Sequence, residues 1–560
     1  MNKILIGQSD FKNIRTAQAY YVDKSLFVEE IINCPHESIL LPRPRRFGKT
    51  LNLSLLKYFF EIRDNDESFL FDGLAIKESP VFQVHFAKYP VIFMTFKDIK
   101  HTSWEKCFDD IRYNISRLFI SHMYLLDHHS LIESDCRIFE DIINMKANES
   151  IYANALKILS MHLKDYHKKG VIILIDEYDT PIHAGFQYGY YKNEVVPFMR
   201  NFLSGGFKDN SNLFKGVITG TLRVSKESIF TGLNNLGVYT LLKKRFNNCF
   251  GFLESEVERI LNDFNFSDKF KTVLKWYDGY QFGSNTVFNP WSVMNYVASN
   301  EDKPEPFWLN TSSLEMIEEI VLGNSNNQKQ ALKKELIDLI QDKCIEKNID
   351  DNIILEDLSK PGNDILWSFL LHSGYLKPVE MIEDEFENIY KLQIPNMEVK
   401  IAYRKLIQKW FSESVDLDEL EIMLKALSNG NISLFERQLK FIALTIMSYY
   451  DFSGAPERVY HALVLGMLVG LSKDYIIRSN RESGYGRYDI IFQPKDKNKQ
   501  GIIIEFKKIY KDEDPETVLN EALKQINEKK YDVELKAANV NDILKLAVAF
   551  TGKAVYLKKQ

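Results

Sequence analysis

The chain has 560 residues, of which 45% are hydrophobic and 26% charged. This composition is typical of a globular protein and excludes a disordered or fibrous chain. Lysine and arginine number 71 against 77 for aspartate and glutamate, so the formal net charge is -6, which excludes a basic surface over the whole chain but not a local basic groove.

The first 250 residues alternate between helix and strand patterns. In chain order the predicted elements are a helix at 24–32, a strand at 38–41, a helix at 50–61, a strand at 90–96, helical stretches at 103–125 and 137–168, and strands at 171–175 and 217–221. Strands that alternate with helices predict a parallel, doubly wound α/β sheet.

The rest of the chain divides into a helical region and a second α/β unit. Helical patterns dominate to about residue 450, for example at 313–322 and 416–450, the second of which is broken at Asn429-Gly430-Asn431. A turn-rich stretch at 451–456 then marks a boundary. The later elements are a helix at 457–471, strands at 488–492 and 501–506, a helix at 513–530 and a strand at 544–550. We therefore predict three domains, at 1–250, 251–450 and 451–560.

Cysteine spacing and apolar runs indicate the compartment. The five cysteines lie far apart without a C-x-x-C pair, which argues against a zinc ribbon or a disulfide scaffold and favours a reducing cytosol. The first residues lack the apolar stretch of an export signal, and no apolar run approaches the ~20 residues that span a bilayer. We expect a cytoplasmic protein without a membrane partner.

The segment P-R-P-R-R-F-G-K-T at 42–50 lies between a predicted strand and a predicted helix. In that context the backbone amides at the start of the helix can bind phosphates. Lys49 would contact the β- and γ-phosphates, and the Thr50 hydroxyl would ligate Mg²⁺. Because Arg43 stands where the pattern G-x-x-x-x-G-K-[ST] has its first glycine, a helix start without a ligand is the alternative.

Three arginines lie in the predicted phosphate loop at 42–50. Arg43, Arg45 and Arg46 would either add positive charge at the phosphates or face another surface.

The predicted strand V-I-I-L-I at 171–175 delivers two adjacent carboxylates to its end. Parallel α/β sheets bind ligands at the carboxyl ends of their strands. Asp176 would hold the water shell of Mg²⁺, and Glu177 would polarise the attacking water of a hydrolytic nucleotidase. The alternative is a strand end with two solvated acids.

A third strand ends in G-T-L-R at 220–223. A polar residue on a strand next to the phosphate site can sense the γ-phosphate, and Thr219, Thr221 and Arg223 are the candidates. A threonine in a buried strand is more often a packing residue, which is the alternative.

A second group of charged residues lies near the end of the chain. Asp489 belongs to one predicted strand, while Glu505 and Lys507 lie two residues apart on the next and so share a face. If the strands pair, two carboxylates and a lysine meet and form a hard oxygen site for Mg²⁺, in which the lysine positions water or stabilises the transition state. Glu457 and Gln525 are possible accessory residues.

The alternative for this group is an exposed, salt-bridged pair. The apolar run at 502–504 favours a buried strand instead, in which a lysine and a glutamate require a functional reason.

With both sites in view, the chain resembles a family of prokaryotic AAA-ATPase-like proteins with a C-terminal PD-(D/E)XK nuclease-superfamily domain. The resemblance covers nearly the full length and rests on these strings: Y-Y-V-D-K-S (20–25), R-P-R-R-F-G-K-T-L-N (43–52), I-D-E-Y-D-T-P-I (175–182), T-G-T-L-R-V-S-K-E-S-I-F-T-G-L-N-N-L (219–236), W-Y-D-G-Y (276–280), N-P-W-S (289–292), S-N-R-E-S-G-Y-G-R-Y-D (479–489) and E-F-K-K (505–508). Arg43 is part of this family's loop.

The resemblance implies a P-loop type parallel sheet at 1–250, a helical middle region and a small restriction-endonuclease-like domain at 451–560. It also implies that Lys49, Thr50, Asp176 and Glu177 serve ATP. With the candidates from the loop and from the third strand, the predicted ATP-binding residues are Arg43, Arg45, Arg46, Phe47, Gly48, Lys49, Thr50, Asp176, Thr219 and Arg223, with Thr50 and Asp176 at Mg²⁺ and Glu177 catalytic. Asp489, Glu505 and Lys507 would be the D, E and K of the nuclease core, with Asp489 and Glu505 as metal ligands for Mg²⁺ or Mn²⁺.

The leading hypothesis is an ATP-regulated, Mg²⁺-dependent nuclease that acts on nucleic acid, DNA more than RNA, with defence or mobile-element biology as an analogy. The runner-up is an ATP-switched scaffold whose nuclease-like domain binds nucleic acid or protein without cutting. A nucleotide binder that never hydrolyses is a third reading. Such ATPases often assemble, so Arg223 or the arginines at 43–46 could act across a subunit boundary.

Overall fold

A computed structural model describes most of the chain. It covers residues 3–127, 131–223, 229–230, 235–309, 332, 335–336, 338–340, 342–352, 355, 365–382, 387–412, 417–449, 471, 474–479, 482–483, 486–487, 489–510, 512–551 and 554–560. The chain divides into two compact units, Met1–Ser325 with Cys344–Lys400, and Asn326–Lys343 with Ile401–Gln560. The division into three domains stays a prediction.

The first unit is built on a five-stranded parallel sheet. Its strands, in the order β2-β3-β4-β1-β5, are β1 (Ser38–Pro42), β2 (Val91–Thr95), β3 (Val171–Asp176), β4 (Leu213–Gly220) and β5 (Leu236–Val238). Every residue of β1 and β3 is buried, as expected for strands covered on both faces. The predicted α/β class and the four longer strands are confirmed.

Fourteen described helices belong to this unit. They are α1 (Phe11–Thr16), α2 (Phe27–Ile32), α3 (Lys49–Phe60), α4 (Pro80–His85), α5 (Trp104–Ile120), α6 (Glu133–Ile143), α7 (Glu149–Ala153), α8 (Ala155–His167), α9 (Thr180–Tyr188), α10 (Val196–Phe207), α11 (Glu254–Asp263), α12 (Phe270–Tyr277), α13 (Pro290–Ser299) and α14 (Ile365–His372). The helical stretch predicted at 137–168 is divided into three helices, because the Asn148 side chain caps the start of α7.

Short strands accompany the helices of the middle region. A hairpin consists of β6 (Tyr280–Phe282) and β7 (Asn285–Val287), and an antiparallel sheet in the order β8-β10-β9 consists of β8 (Ile345–Asn348), β9 (Lys377–Ile382) and β10 (Ile389–Gln393). The sequence analysis missed these strands because they are short and half-exposed. The helix predicted at 313–322 lies outside the described residues.

The second unit combines helices with a mixed sheet. Helix α15 (Met397–Ser412) contains the division between the units, and α16 (Leu417–Ser428) and α17 (Ile432–Tyr449) are separated at Asn429-Gly430-Asn431, as predicted. The Asn431 side chain accepts the amide of Leu434 at 3.2 Å and so caps the start of α17.

The sheet of this unit has the order β11-β14-β15-β16-β17, in which only β15 and β16 are parallel neighbours. Its elements, with a small hairpin of β12 and β13, are β11 (Tyr475–Ser479), β12 (Glu482–Ser483), β13 (Gly486–Arg487), β14 (Ile490–Pro494), β15 (Gly501–Lys508), α18 (Pro515–Glu528), α19 (Val533–Ala537), β16 (Ile543–Thr551) and β17 (Ala554–Lys559). The helix predicted at 457–471 and the turn at 451–456 lie outside the described residues, apart from Leu471.

No helix in the described part of the chain is both long enough and apolar enough to cross a bilayer.

Candidate phosphate and metal sites

Strand β1 leads directly into the predicted phosphate loop, and α3 begins at Lys49. Gly48 precedes the helix with a φ of +84°, a left-handed conformation that glycine adopts without a steric penalty. The first amides of α3 have no partners within the helix, and Gly48, Lys49 and Thr50 line a cavity of about 650 Å³. The loop therefore presents a helix start to a pocket, as an anion site requires.

Lys49 is buried at the wall of this cavity. Its Nζ donates to the carbonyl oxygens of Arg43 at 2.8 Å and Pro44 at 2.9 Å. Burial lowers the pKa of Lys49, and the charges of Glu177 and Asp179 oppose that shift. Its ammonium group is thus held by its own loop and lies in the field of two carboxylates.

The predicted metal ligands of the first unit are in contact. The Thr50 hydroxyl donates to Asp176 Oδ2 at 2.7 Å, and the Thr219 hydroxyl donates to Asp176 Oδ1 at 2.6 Å. Asp176 and Thr219 are fully buried. A hydroxyl beside a carboxylate is a donor set that fits Mg²⁺, and Thr219 fixes the orientation of that carboxylate.

Glu177 follows β3 and lines the same cavity. Its φ of +50° is uncommon for a residue with a side chain, and such backbone conformations concentrate at functional sites. Burial raises the pKa of Glu177, while the charge of Lys49 opposes the increase. Its carboxylate is therefore a better proton acceptor than a solvated glutamate.

The sequence analysis missed Asp179, which joins the ends of two strands. Its Oδ2 accepts the amides of Thr221 at 2.8 Å and Leu222 at 3.0 Å, and His183 Nε2 lies 3.2 Å away. Burial alone would raise its pKa, but these hydrogen bonds more than offset burial and lower it. The sequence does mark Asp179, because it is the third acidic residue in the string D-E-Y-D at 176–179.

The residues predicted to sense the terminal phosphate lie in different surroundings. Thr221 lines the cavity, whereas Thr219 is buried against Asp176. Arg223 is half-buried, and its Nε has no hydrogen-bond partner among the described residues.

The loop arginines divide into two groups. Arg43 is fully buried, and its guanidinium donates to the carbonyls of Pro42 at 2.8 Å and Tyr239 at 2.7 Å, so its side chain supports the loop from inside and does not line the pocket. This differs from the expectation that Arg43 contacts phosphate. Arg45 and Arg46 are exposed and line the cavity.

Three contacts with aromatic rings hold Arg46 and Phe47 in the loop. Phe47 is buried against the rings of Tyr280 and Phe282, whose centroids lie 4.9 and 5.1 Å away, so its side chain anchors the loop. The guanidinium carbon of Arg46 lies 4.0 Å from the ring centroid of Trp291. This cation–π contact holds Arg46 at the cavity.

The second predicted site is formed where β14 and β15 pair. Ile490 is opposite Ile504, so Asp489 and Glu505 are neighbours across the strands, and Asp489 Oδ2 accepts the amide of Phe506 at 2.8 Å. Burial raises the pKa of Glu505 to about 7, and the charge of Asp489 adds to the shift. Two carboxylates are thus brought together in a poorly hydrated site.

Helix α18 covers the face of β15 that carries Glu505 and Lys507. Lys507 Nζ donates to Gln525 Oε1 at 2.6 Å and lies 3.4 Å from Glu505 Oε1. Gln525 Nε2 in turn donates to Glu505 and contacts the Tyr531 hydroxyl at 3.0 Å. The structure therefore brings Gln525 to the predicted group, together with Tyr531, which the sequence analysis missed because it lies beyond the helix.

One carboxylate oxygen of this site lacks a hydrogen-bond partner in the part of the chain that the structure describes. Glu505 Oε2 is buried and has no hydrogen-bond partner within the described residues. The carboxylate oxygens of Glu505 and Asp489 are hard donors of the kind that Mg²⁺ and Mn²⁺ prefer. No group of three or more His, Cys, Asp or Glu side chains suited to a metal occurs in the ranges described above, and Glu457 lies outside them.

Comparisons with known proteins agree with this geometry. Residues 5–230 match the family model described as predicted AAA-ATPase, and residues 455–560 match that of the PD-(D/E)XK nuclease superfamily. An Azotobacter chroococcum mcd 1 protein, described as an uncharacterized protein in the vnfD 5' region, is 23% identical over 412 residues, which are 72% of this chain and 70% of that protein. The matches confirm the family resemblance and the α/β fold class.

Proposed function

We propose that the chain binds ATP with Mg²⁺ in the cavity of the first unit and hydrolyses it. The observation that supports this proposal is the convergence of a helix start, a lysine, a hydroxyl–carboxylate pair and a second carboxylate at one edge of a parallel sheet. Lys49, Thr50, Asp176 and Glu177 are these residues, and three of them line a cavity of about 650 Å³, a size suited to a small-molecule ligand.

Each residue has a defined task in this proposal. Lys49 and the first amides of α3 bind the β- and γ-phosphates, so Lys49 exchanges its loop carbonyls for phosphate oxygens. Thr50 and Asp176 hold Mg²⁺, which neutralises charge on those oxygens. Glu177 orients the attacking water and accepts its proton, a task that its raised pKa favours.

An apolar part of the cavity wall suits the nucleobase. It is lined by Ile4, Val22, Phe252, Pro290 and Met294. Ligand pockets typically combine such apolar contacts with a few polar groups that fix orientation.

Nucleotide binding by Lys49→Ala tests the phosphate site. Loss of a charged hydrogen-bond donor is expected to weaken binding of a non-hydrolysable ATP analogue about 10- to 100-fold by calorimetry. Glu177→Gln should bind the analogue normally yet release phosphate about 100-fold more slowly. Lys88→Ala, which removes an exposed lysine, is the charge-matched control; equal affinities for it and Lys49→Ala would overturn the proposal.

We propose that the second unit binds nucleic acid, DNA in preference to RNA, and cleaves it with Mg²⁺ or Mn²⁺. The supporting observation is the buried Glu505 Oε2, which lies beside Asp489 and Lys507 and has no hydrogen-bond partner among the residues that the structure describes. Asp489 and Glu505 would hold the metal, which would supply a Lewis acid that lowers the pKa of a bound water and offsets charge on the phosphodiester. Lys507, oriented by Gln525, would stabilise the transition state.

Two neighbouring lysines of β15 provide a matched test of cleavage. Lys507 faces the carboxylates, whereas Lys508 is exposed and, by alternation, lies on the other face of the strand. Lys507→Ala is expected to lower the rate of metal-dependent DNA cleavage at least about 100-fold, and Lys508→Ala to change it little. Equal loss in both variants, or wild-type protein that cuts neither DNA nor RNA with either metal, would contradict the proposal.

A non-cleaving scaffold is the second candidate function. It is favoured by the small number of metal-ligating side chains, because the described residues supply only two carboxylates at the site. Salt-dependent DNA binding without cleavage would select this alternative.

A further inference from the structure

The loop that follows β2 brings two more lysines to the cavity of the first unit. Lys97, Asp98 and Lys100 line it together with Glu177. The side chains of Lys97 and Lys100 are exposed, and within the described part of the chain neither ammonium group has an ion-pair or hydrogen-bond partner. Both are therefore free to bind an anion.

Backbone contacts fix this loop against β3. The amide of Phe96 donates to the carbonyl of Asp176 at 3.0 Å, and the amide of Lys97 donates to Thr95 Oγ1 at 3.1 Å. Ile99 is buried, and its amide donates to the carbonyl of Phe96 at 3.1 Å. Because the loop is already fixed, an anion that binds here would have to order only the two lysine side chains. The entropic cost of binding is therefore lower than for a mobile loop.

The sheet register places the two lysines on the far side of Glu177 from the phosphate loop. Thr95 is paired with Asp176, so Lys97 lies level with the residues just beyond β3. Strand β4 separates β3 from β1, and a spacing of about 4.8 Å per strand puts β2 about 14 Å from β1. A phosphate chain that begins at Lys49 and points toward Glu177 would have Lys97 and Lys100 beyond its end.

The charge of the cavity wall favours an anion. Lys24 also lines the cavity but is paired with Glu256. The other positively charged side chains that line it are Arg45, Arg46, Lys49, Lys97 and Lys100, and the negatively charged ones are Asp98, Glu177 and Asp179. Asp179 already accepts two backbone amides, so its charge is largely compensated.

We propose that Lys97 and Lys100 form a second phosphate site beside Glu177, distinct from the site at Lys49. The inference rests on the proposed ATP-binding function. The ligand is a tetrahedral phosphate group, either inorganic phosphate released by hydrolysis or the terminal phosphate of the intact nucleotide. Two ammonium groups on a fixed loop would offset its charge from the side opposite to Lys49.

Calorimetric titration of inorganic phosphate into the full-length chain saturated with Mg·ADP tests this site. The wild type and a control with two other exposed lysines replaced, Lys88→Ala with Lys208→Ala, are expected to bind phosphate with equal affinity. Lys97→Ala with Lys100→Ala should bind it at least about tenfold more weakly, with ADP affinity unchanged. Equal phosphate affinity in all three proteins, or no phosphate binding by the wild type, would overturn the inference.

A second arm separates the two sources of phosphate and the two proposals. If the double variant also loses affinity for a non-hydrolysable ATP analogue, the site holds the terminal phosphate of the nucleotide, and if it does not, the site holds the released product. Wild-type protein that binds no ADP would refute the proposed function. In that case inorganic phosphate would be titrated into the proteins without nucleotide. The same comparison of variants would then show whether Lys97 and Lys100 bind it.

Discussion

At the scale of single residues, Arg43 shows how the loop manages without its first glycine. The Arg43 guanidinium turns into the protein, donates to backbone carbonyls and lies 5.2 Å from the ring centroids of both Phe250 and Phe282. The left-handed backbone conformations occur instead at Arg46 and Gly48, whose φ values are +69° and +84°. Burial lowers the pKa of Arg43 to about 10, which does not remove its charge at neutral pH.

Glu398 is a second buried ionisable residue, and it is close to the same loop. It accepts the amide of Trp308 at 2.6 Å and the Ser292 hydroxyl at 2.8 Å, while Trp308 Nε1 donates to the carbonyl of Arg45 at 3.2 Å. Burial raises the pKa of Glu398 from 4.5 to about 7. Between these values the folded state keeps a proton that the unfolded state has released.

The free energy of unfolding should therefore fall as the pH rises from about 5 to 7 and become level above it. The full shift corresponds to about 3 kcal/mol, and Glu398→Gln, which stays neutral, should lack the part of this dependence that comes from Glu398, whereas the contribution of Glu505 is the same in both proteins. The test is chemical unfolding of both proteins at pH 5 to 8. The stability of the variant relative to the wild type should grow by about 3 kcal/mol over that range, and a constant difference would refute the assignment.

At the scale of elements, strand burial decides what the sequence can predict. Strands β1 to β4 could be predicted because each contains a short apolar run that is mostly buried. Strand β5 has three residues and β9 is largely exposed, so neither has a clear pattern. The sequence marks Asp179 as a third acid, but its contact with the residues after β4 and the proposed role of Lys97 could not be assigned, because both depend on neighbouring strands, whose order the sequence does not give.

The joined ends of β3 and β4 leave no room beside Gly220. A Cβ there would lie 2.7 Å from Asp179 Oδ1 and from the Tyr178 ring. Gly220→Ala is expected to cost about 1–3 kcal/mol of stability and to weaken binding of an ATP analogue, because Asp179 must move. Thermal unfolding and calorimetry measure both effects.

Gly205 is the matched control for this substitution. It lies in α10, and a Cβ there would meet its nearest atom at 3.6 Å, an ordinary contact distance. Gly205→Ala should keep or raise stability, because alanine favours the helix. If Gly220→Ala behaves in the same way, the ends of the two strands are not tightly packed.

At the scale of the whole molecule, the two sites proposed for phosphate chemistry lie in different compact units. Each combines a lysine with a glutamate whose pKa is raised by burial, Glu177 in the first unit and Glu505 in the second. That these residues lie together could be predicted from the sequence, because each motif joins a local pattern of charged residues to a buried strand. The hydrogen bonds of Gln525 and the buried Arg43 could not, because they depend on packing between elements distant in sequence.

The most direct test measures phosphate release from ATP and metal-dependent DNA cleavage on the same preparations of wild-type protein, Glu177→Gln and Lys507→Ala. We expect the wild type to show both activities, Glu177→Gln to lose phosphate release while it still cuts DNA, and Lys507→Ala to lose cleavage while it still turns over ATP. Wild-type protein with neither activity, or Lys507→Ala without ATP turnover, would contradict the assignment of two separate sites.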